Sequence, residues 1–201
     1  MEEKEKIQLK RYISTMLPRL TRYNLFISTP DAIINSLENR YKNYSFDNIS
    51  KISYHTLPLI EKSRPGYTSM AKKYLDNGHT GFCVVDQNCV ASMRWLYYND
   101  TTSKMKVSYF PLLPNRVWFH ASWTNPIYRG KGLHKFLIYY SACYLKNLLT
   151  QQSPSLFVEA NVDPNNQISS NNLKKSGFEE NGDIYVLRFW RWNFSWKKAL
   201  Q

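Results

Sequence analysis

The sequence predicts a mixed α/β fold of the α+β type: a central, mostly antiparallel sheet that contains one parallel strand–helix–strand crossover. Three observations lead there. Residues 81–85 (GFCVV) and 89–97 (CVASMRWLY) are strand-like runs joined through Asp86-Gln87-Asn88, which reads as a hairpin. From residue 117 the order changes to strand, sharp turn, long helix and strand, and a right-handed parallel crossover is the expected geometry for that unit. The chain then closes with a short helix and a final hairpin, and hairpins combined with one crossover make a mixed sheet.

The elements follow in order. Residues 1–20 read as a helix that Pro18 ends or kinks. Residues 23–28 (YNLFIS) read as a short strand. Ser28 or Thr29 caps a helix over 30–41, with Pro30 in the first turn. Residues 42–50 are polar and read as a loop. We therefore expect residues 1–49 to form an N-terminal extension and 50–201 the main domain. In that domain, 51–57 fits a strand, and 59–75 fits one or two helices interrupted near Pro65-Gly66. After the hairpin come a polar turn at 99–104 and a further strand at 106–110.

Residues 117–124 are rich in aromatic, small and β-branched side chains, as strands are. Pro126 ends their pairing. Leu133, Phe136, Leu137, Tyr140 and Tyr144 then recur at three- and four-residue spacing, one stripe of a helix. A loop at 151–154 leads to a buried strand at 156–162 and a turn at 163–165. A helix over 166–176 follows, closed by Gly177 as a left-handed cap. The last hairpin pairs 178–180 with 184–193 around Asn181-Gly182-Asp183.

Composition narrows the function classes. With 201 residues and 43% hydrophobic side chains, the chain can bury a sizeable core and is not disordered. It contains no run of eighteen apolar residues, and its charged start lacks the apolar segment of a secretory signal. Cys83, Cys89 and Cys143 are odd in number and without C-x-x-C spacing, so free thiols in a reducing, cytoplasmic setting are expected. The four histidines form no zinc pattern, and no metal is expected. A net charge of +12 permits an anionic partner without choosing one. The cations are spread from Lys4 to Lys198 with no block of five, so solubility explains them as well as binding does.

The stretch Arg129-Gly130-Lys131-Gly132 carries the chemistry. Two glycines between a strand and a helix let backbone amides face a ligand without obstruction by a Cβ. The helix start adds unpaired N–H groups and the positive end of a dipole. Together with Arg129, Lys131 and Lys135 this is a phosphate cradle. It is neither a nucleotide P-loop nor a dinucleotide fingerprint, because G-x-x-x-x-G-K-[ST] and a third glycine are both missing.

Two stretches together resemble the GNAT superfamily of acetyl-CoA-dependent acyltransferases. One is the R/Q-x-x-G-x-G/A turn, here Arg129-Gly130-Lys131-Gly132-Leu133-His134, with His134 at the last small position. The other is N-x-x-[AS]-x-x-x-Y-x-x-x-G-F, matched by Asn166, Ser169, Gly177 and Phe178, with Leu173 at the tyrosine place. The resemblance covers roughly residues 50–192. The form YRGKGLHKFL also looks like a bacterial subgroup of cell-surface polysaccharide pathways.

The resemblance implies acetyl-CoA as the acyl donor. The amides of Gly130, Lys131, Gly132, Leu133 and His134 would hold its pyrophosphate, with Arg129 or Lys131 at phosphate oxygens. The strand before the turn would part from the strand after the helix, and the pantetheine arm would pair in the gap like an added strand. Ser122, Trp123 and Thr124 would contact the arm on one side and Asn161 on the other. Asn166 and Ser169 would contact it or cap the following helix. A backbone amide near Trp123 would polarise the thioester carbonyl.

The base candidates are His120 and Glu159, on the two strands flanking that gap. His120 has a suitable intrinsic pKa, and alternation places it with Trp118, Ser122 and Thr124. Glu159 is a charge in an otherwise apolar run, which is costly unless it has a purpose. Leu173 leaves the family's usual acid tyrosine in doubt. The expected reaction is acetyl transfer to a primary amine of a small molecule, an amino sugar or an amino acid derivative. Trp95, Tyr97 and Tyr98 either shape the acceptor site or fill the core.

Two rivals stand beside this. One is a non-catalytic CoA-binding or regulatory module; the other is a basic nucleic-acid-binding protein, which lacks a recognition-helix pattern. The tail, RFWRWNFSWKKAL, mixes aromatic and basic residues as a membrane-surface segment does. A last strand with its aromatic face in the core and a basic end in water is the preferred reading of it.

Overall fold

Eight strands form one sheet in the order β2-β3-β4-β5-β6-β1-β7-β8 in the computed structural model, which describes residues 18–98, 115–149, 156–189 and 192–198. The strands are β1 (Arg19–Ser28), β2 (Ile49–Lys51), β3 (Thr80–Asp86), β4 (Cys89–Tyr98), β5 (Arg116–Thr124), β6 (Phe157–Val162), β7 (Glu179–Phe189) and β8 (Trp192–Lys198). The helices are α1 (Pro30–Tyr41), α2 (Leu57–Ser63), α3 (Thr68–Asp76), α4 (Leu133–Leu149) and α5 (Gln167–Lys174). Among the described residues only β5 and β6 run parallel, with α4 between them in the chain; every other described pair is antiparallel. The expected mixed sheet with one crossover is therefore present. The helix expected over 1–20 begins, and the strand expected over 106–110 lies, outside the described residues.

Apolar side chains cover both faces. On one, α1, α4 and α5 lay Ile33, Leu37, Leu137, Leu145 and Leu173 over Phe26, Phe82, Leu96, Phe119 and Val158 of the sheet. On the other, Leu57, Ile60 and Ala71 of α2 and α3 cover Cys83, Met93 and Trp95. A smaller cluster of Leu25, Tyr97, Trp118, Ile184 and Val186 continues that second face. Trp95 and Tyr97 are thus core residues.

Three sequence expectations are corrected. The boundary at residue 49 is not a structural break: β1 sits between β6 and β7, paired on both sides, and α1 packs on α4. The run read as a short strand, 23–28, is the C-terminal part of the longer β1, and both of its partners are distant segments. Secondly, Asn181-Gly182-Asp183 is not a turn. Between Asn24↔Asp183 and Phe26↔Glu180, β1 advances two residues while β7 advances three. The positive φ of Gly182, 104°, serves a bulge inside one continuous strand. Thirdly, the tail forms an edge strand on which Phe194 and Trp196 are exposed and not in the core, with Trp196 stacked on Tyr185.

Gly177 caps α5 as expected, with φ 82°. It is also wedged against α1, since a Cβ there would lie 2.6 Å from the Ala32 carbonyl oxygen. Ser28 Oγ donates to the Gly177 carbonyl at 2.5 Å, fixing the same junction. Gly66 has a similar φ of 79° and nothing within 4 Å. Gly66→Ala should cost only the left-handed strain, about 1–2 kcal/mol. Gly177→Ala should cost clearly more in urea unfolding; equal costs would contradict the wedge.

Candidate active site

The strands β5 and β6 pair from Arg116↔Phe157 to Phe119↔Ala160 and then part. Beyond that point β6 continues to pair with β1, and β5 with β4. A bulge lies at the parting. Between Met93↔Trp123 and Trp95↔His120, β4 advances two residues and β5 three. The extra residue lies in Ala121-Ser122, where Ala121 takes a φ of 47°. That conformation is rare for a residue with a Cβ, and it concentrates at functional sites.

The bulge overturns the expected alternation. Trp118 and His120 stack at 4.5 Å between ring centroids. Ala121 and Trp123 pack against the α2–α3 cluster instead. Ser122 and Thr124 then face the cleft, each lining one of its two cavities.

The outer cavity, about 800 Å³, lies against the turn before α4. Thr124, Arg129, Gly130, Gly132, Leu133 and His134 line it, together with Asn166 and Ser169. Lys131 is exposed and rests its ammonium 4.9 Å from the Tyr128 ring centre. Gly130 and Gly132 both have positive φ, 79° and 78°. A Cβ on Gly132 would come within 3.0 Å of Tyr41 Oη and 3.1 Å of Arg40 Nη2. Tyr41 Oη donates to the Gly132 carbonyl at 3.0 Å, so α1 pins the turn. Arg40 and Lys135 line the cavity as well. Burial, then Arg40 and Lys175, lowers the Lys135 pKa, which marks a concentration of positive charge. Asn166 Oδ1 accepts from the Ser169 amide at 3.1 Å, so these two residues form the cap of α5.

No family model matches the chain, and no curated protein sequence matches it either. Solved structures do. A GNAT-family protein from Novosphingobium aromaticivorans superposes with a TM-score of 0.55 at 15% identity, covering 83% of this chain and 63% of that one. A GCN5-related N-acetyltransferase-like protein from Streptococcus suis superposes with a TM-score of 0.54 at 10% identity, over 93% and 68% of the two chains. The chain has the GNAT fold. A third match is the GCN5-related glucosamine N-acetyltransferase region of a fungal multi-domain β-N-acetylglucosaminidase. There the TM-score is 0.52 and the identity 11%, and this chain is covered to 97% but spans only 23% of that one.

In this GNAT fold an inner cavity of about 230 Å³ occupies the parting of β5 and β6. His120, Ser122, Asn161, Leu173 and Arg94 line it, and it shares His134, Asn166 and Ser169 with the outer cavity. Asn161 Oδ1 accepts from Trp118 Nε1 at 2.7 Å, which turns its amide toward the sheet. His120 is buried, and its Nε2 lies 2.9 Å from Nδ1 of the buried His79. Burial drives the His120 pKa well below its ordinary value, with His79 and Arg94 adding to the effect. Burial alone lowers His79 to about 4. Both rings are therefore neutral at pH 7, and one donates to the other.

Glu159 does not line either cavity. Its buried carboxylate accepts from Arg116 Nη1 at 2.7 Å and from Lys197 Nζ at 3.0 Å. Lys197 is 38 residues away on β8, a partner no local pattern reveals. Sequence reasoning passed over His79, Arg40 and Arg94. Arg94 was within reach, because a charge inside CVASMRWLY meets the criterion that singled out Glu159.

The histidine pair makes stability depend on pH. Both folded-state pKa values lie below the unfolded value, so the unfolded chain takes up more protons on acidification. Stability is full above about pH 6.5 and falls as the pH drops toward 4. His134, which burial lowers to about 3, adds to the effect with the same sign, so urea unfolding at pH 5.5 should give a free energy lower by on the order of 4 kcal/mol than at pH 7.5. His79→Asn should flatten part of that slope; a flat wild-type profile would contradict the buried neutral pair.

Proposed function

We propose that this chain is an N-acyltransferase that moves the acetyl group of acetyl-CoA to a primary amine on a small molecule, an amino sugar or an amino acid derivative. The observation that carries this reading is one juxtaposition. A cationic glycine turn at a helix start opens onto a sheet edge left unpaired where two parallel strands separate. Acetyl-CoA has a pyrophosphate for the first and an amide-bearing arm for the second. The amides from Gly130 to His134 bind the diphosphate, and Arg129, Arg40 and Lys135 neutralise it. Ser122, Trp123 and Thr124 offer backbone groups to the arm, as an edge strand does to an added strand.

The incoming amine must lose a proton as it attacks the thioester carbonyl. We assign that proton to His120, which is neutral and lines the inner cavity. The imidazolium formed then shares its charge with His79 through the 2.9 Å contact. A backbone amide near Trp123 stabilises the developing oxyanion. Leu173 supplies no proton, so the thiolate leaves without an acid from α5. Glu159, held between Arg116 and Lys197, anchors β6 to β8. Glucosamine, which the fungal structure names, is an amino sugar of the proposed acceptor class.

A thermal-shift titration tests the reading. Acetyl-CoA and CoA should raise the melting temperature in a concentration-dependent way. Gly132→Ala should weaken that binding at least tenfold, because its Cβ meets Tyr41 and Arg40. With an amine panel, His120→Gln should lower the rate of CoA release by about 10²–10⁴ while leaving CoA binding intact. No shift with either ligand would overturn the reading. Binding without release over the whole panel would favour a non-catalytic CoA-binding module. Salt-sensitive binding of random nucleic acid, indifferent to CoA, would favour the nucleic-acid reading.

A further inference from the structure

A buried arginine with no anion stands at the inner end of the cleft. Arg94 lies on β4, only 2% exposed, and among the described residues no carboxylate pairs with it. Its Nη2 lies 2.9 Å from His134 Nε2, and its Nε–H is buried with no partner. Phe119 lies under the guanidinium, its ring centre 4.9 Å away, which offsets part of the burial cost.

The chemistry of the pair fixes the proton on His134. Arginine has only donors, so His134 Nε2 must be the acceptor and the imidazole proton sits on Nδ1. Nδ1 too is buried without a partner. Arg94 and His134 line the inner cavity with a full positive charge and two unmatched N–H donors buried just behind its surface; Asp163, on the same lining, makes no ion pair with Arg94. Such groups are rare in folded proteins, because leaving even one unmatched costs about 1–3 kcal/mol. Burial lowers the Arg94 pKa to about 9, which still leaves it charged at pH 7. The cluster asks for an anionic acceptor of hydrogen bonds. The planar fork of a guanidinium matches a carboxylate.

We propose that Arg94, backed by His134, is a carboxylate-binding subsite at the inner end of the cleft, so that one of the two substrates carries a free carboxylate. This rests on the reading that a CoA thioester arm enters the cleft. The carboxylate comes from one of two sources: a dicarboxylic acyl group on the donor, or an acidic group on the amine acceptor. A phosphopantetheine amide, being neutral, leaves the charge uncompensated.

Binding measurements separate these sources. Succinyl-CoA and butyryl-CoA have four-carbon acyl groups that differ by a terminal carboxylate, so their affinities for the full chain read the donor source. N-acetylglycine and N-acetylglycinamide, titrated into the CoA-saturated protein, read the acceptor source. The subsite predicts at least a tenfold preference for the carboxylate member of one pair, lost in Arg94→Met and partly kept in Arg94→Lys. CoA binding with less than tenfold preference in both pairs overturns the subsite and leaves the acyltransferase reading standing. A preference that survives Arg94→Met overturns the assignment to Arg94. Failure of CoA itself to bind overturns both. The wild-type ratios decide the matter even if Arg94→Met does not fold.

Discussion

The pairing of β5 with β6 ends at Phe119 and Ala160, and the bulge at Ala121 stands at that point. A parallel pair that ran on to Thr124 would have no free edge and no inner cavity. With the bulge, one extra residue turns Ser122 and Thr124 toward the cleft and Trp123 toward α2 and α3. Buried Trp95 and Met93 hold the β4 side of this arrangement, so the strained residue is packed against the α2–α3 cluster while it lines the inner cavity. The cost of a positive φ at alanine, on the order of 1–3 kcal/mol, is carried by that packing.

The segment before residue 49 is a second support. Tyr41 reaches from α1 to the carbonyl of Gly132, and Arg40 lines the outer cavity. Ala32 and Ser36 of the same helix close on Gly177 at the end of α5. One helix therefore touches two of the glycine positions that carry the resemblance, Gly132 in the turn before α4 and Gly177 in the cap after α5. The dynamics of the glycine turn should follow the stability of the α1–α4 contact, where Tyr41 packs on Phe136 and Tyr139.

What was legible in the sequence was local. The hairpin at residues 80–98, the turn before α4, the cap at Gly177 and the strand before the turn rest on glycine, proline and periodicity within a short window. The remainder depended on partners far away in the chain. The run YNLFIS carries no mark of its place between β6 and β7. Asn-Gly-Asp suits a turn and a bulge equally, and β1 decides between them. Alanine gives no hint of a left-handed backbone, so the bulge at Ala121 was hidden. At the site, the glycine turn and His120 were readable by chemistry, whereas His79 and Lys197 became meaningful only through contacts 41 and 38 residues away.

The direct test of the parted edge is amide hydrogen exchange with and without CoA, resolved by residue. Protection should rise within residues 121–124 and 130–134 on adding CoA, and stay level at Val117–Phe119, where β5 is already paired on both sides. Unchanged exchange over 121–124 with CoA bound, or new protection confined to another edge such as β8, would contradict a cofactor arm lying between β5 and β6.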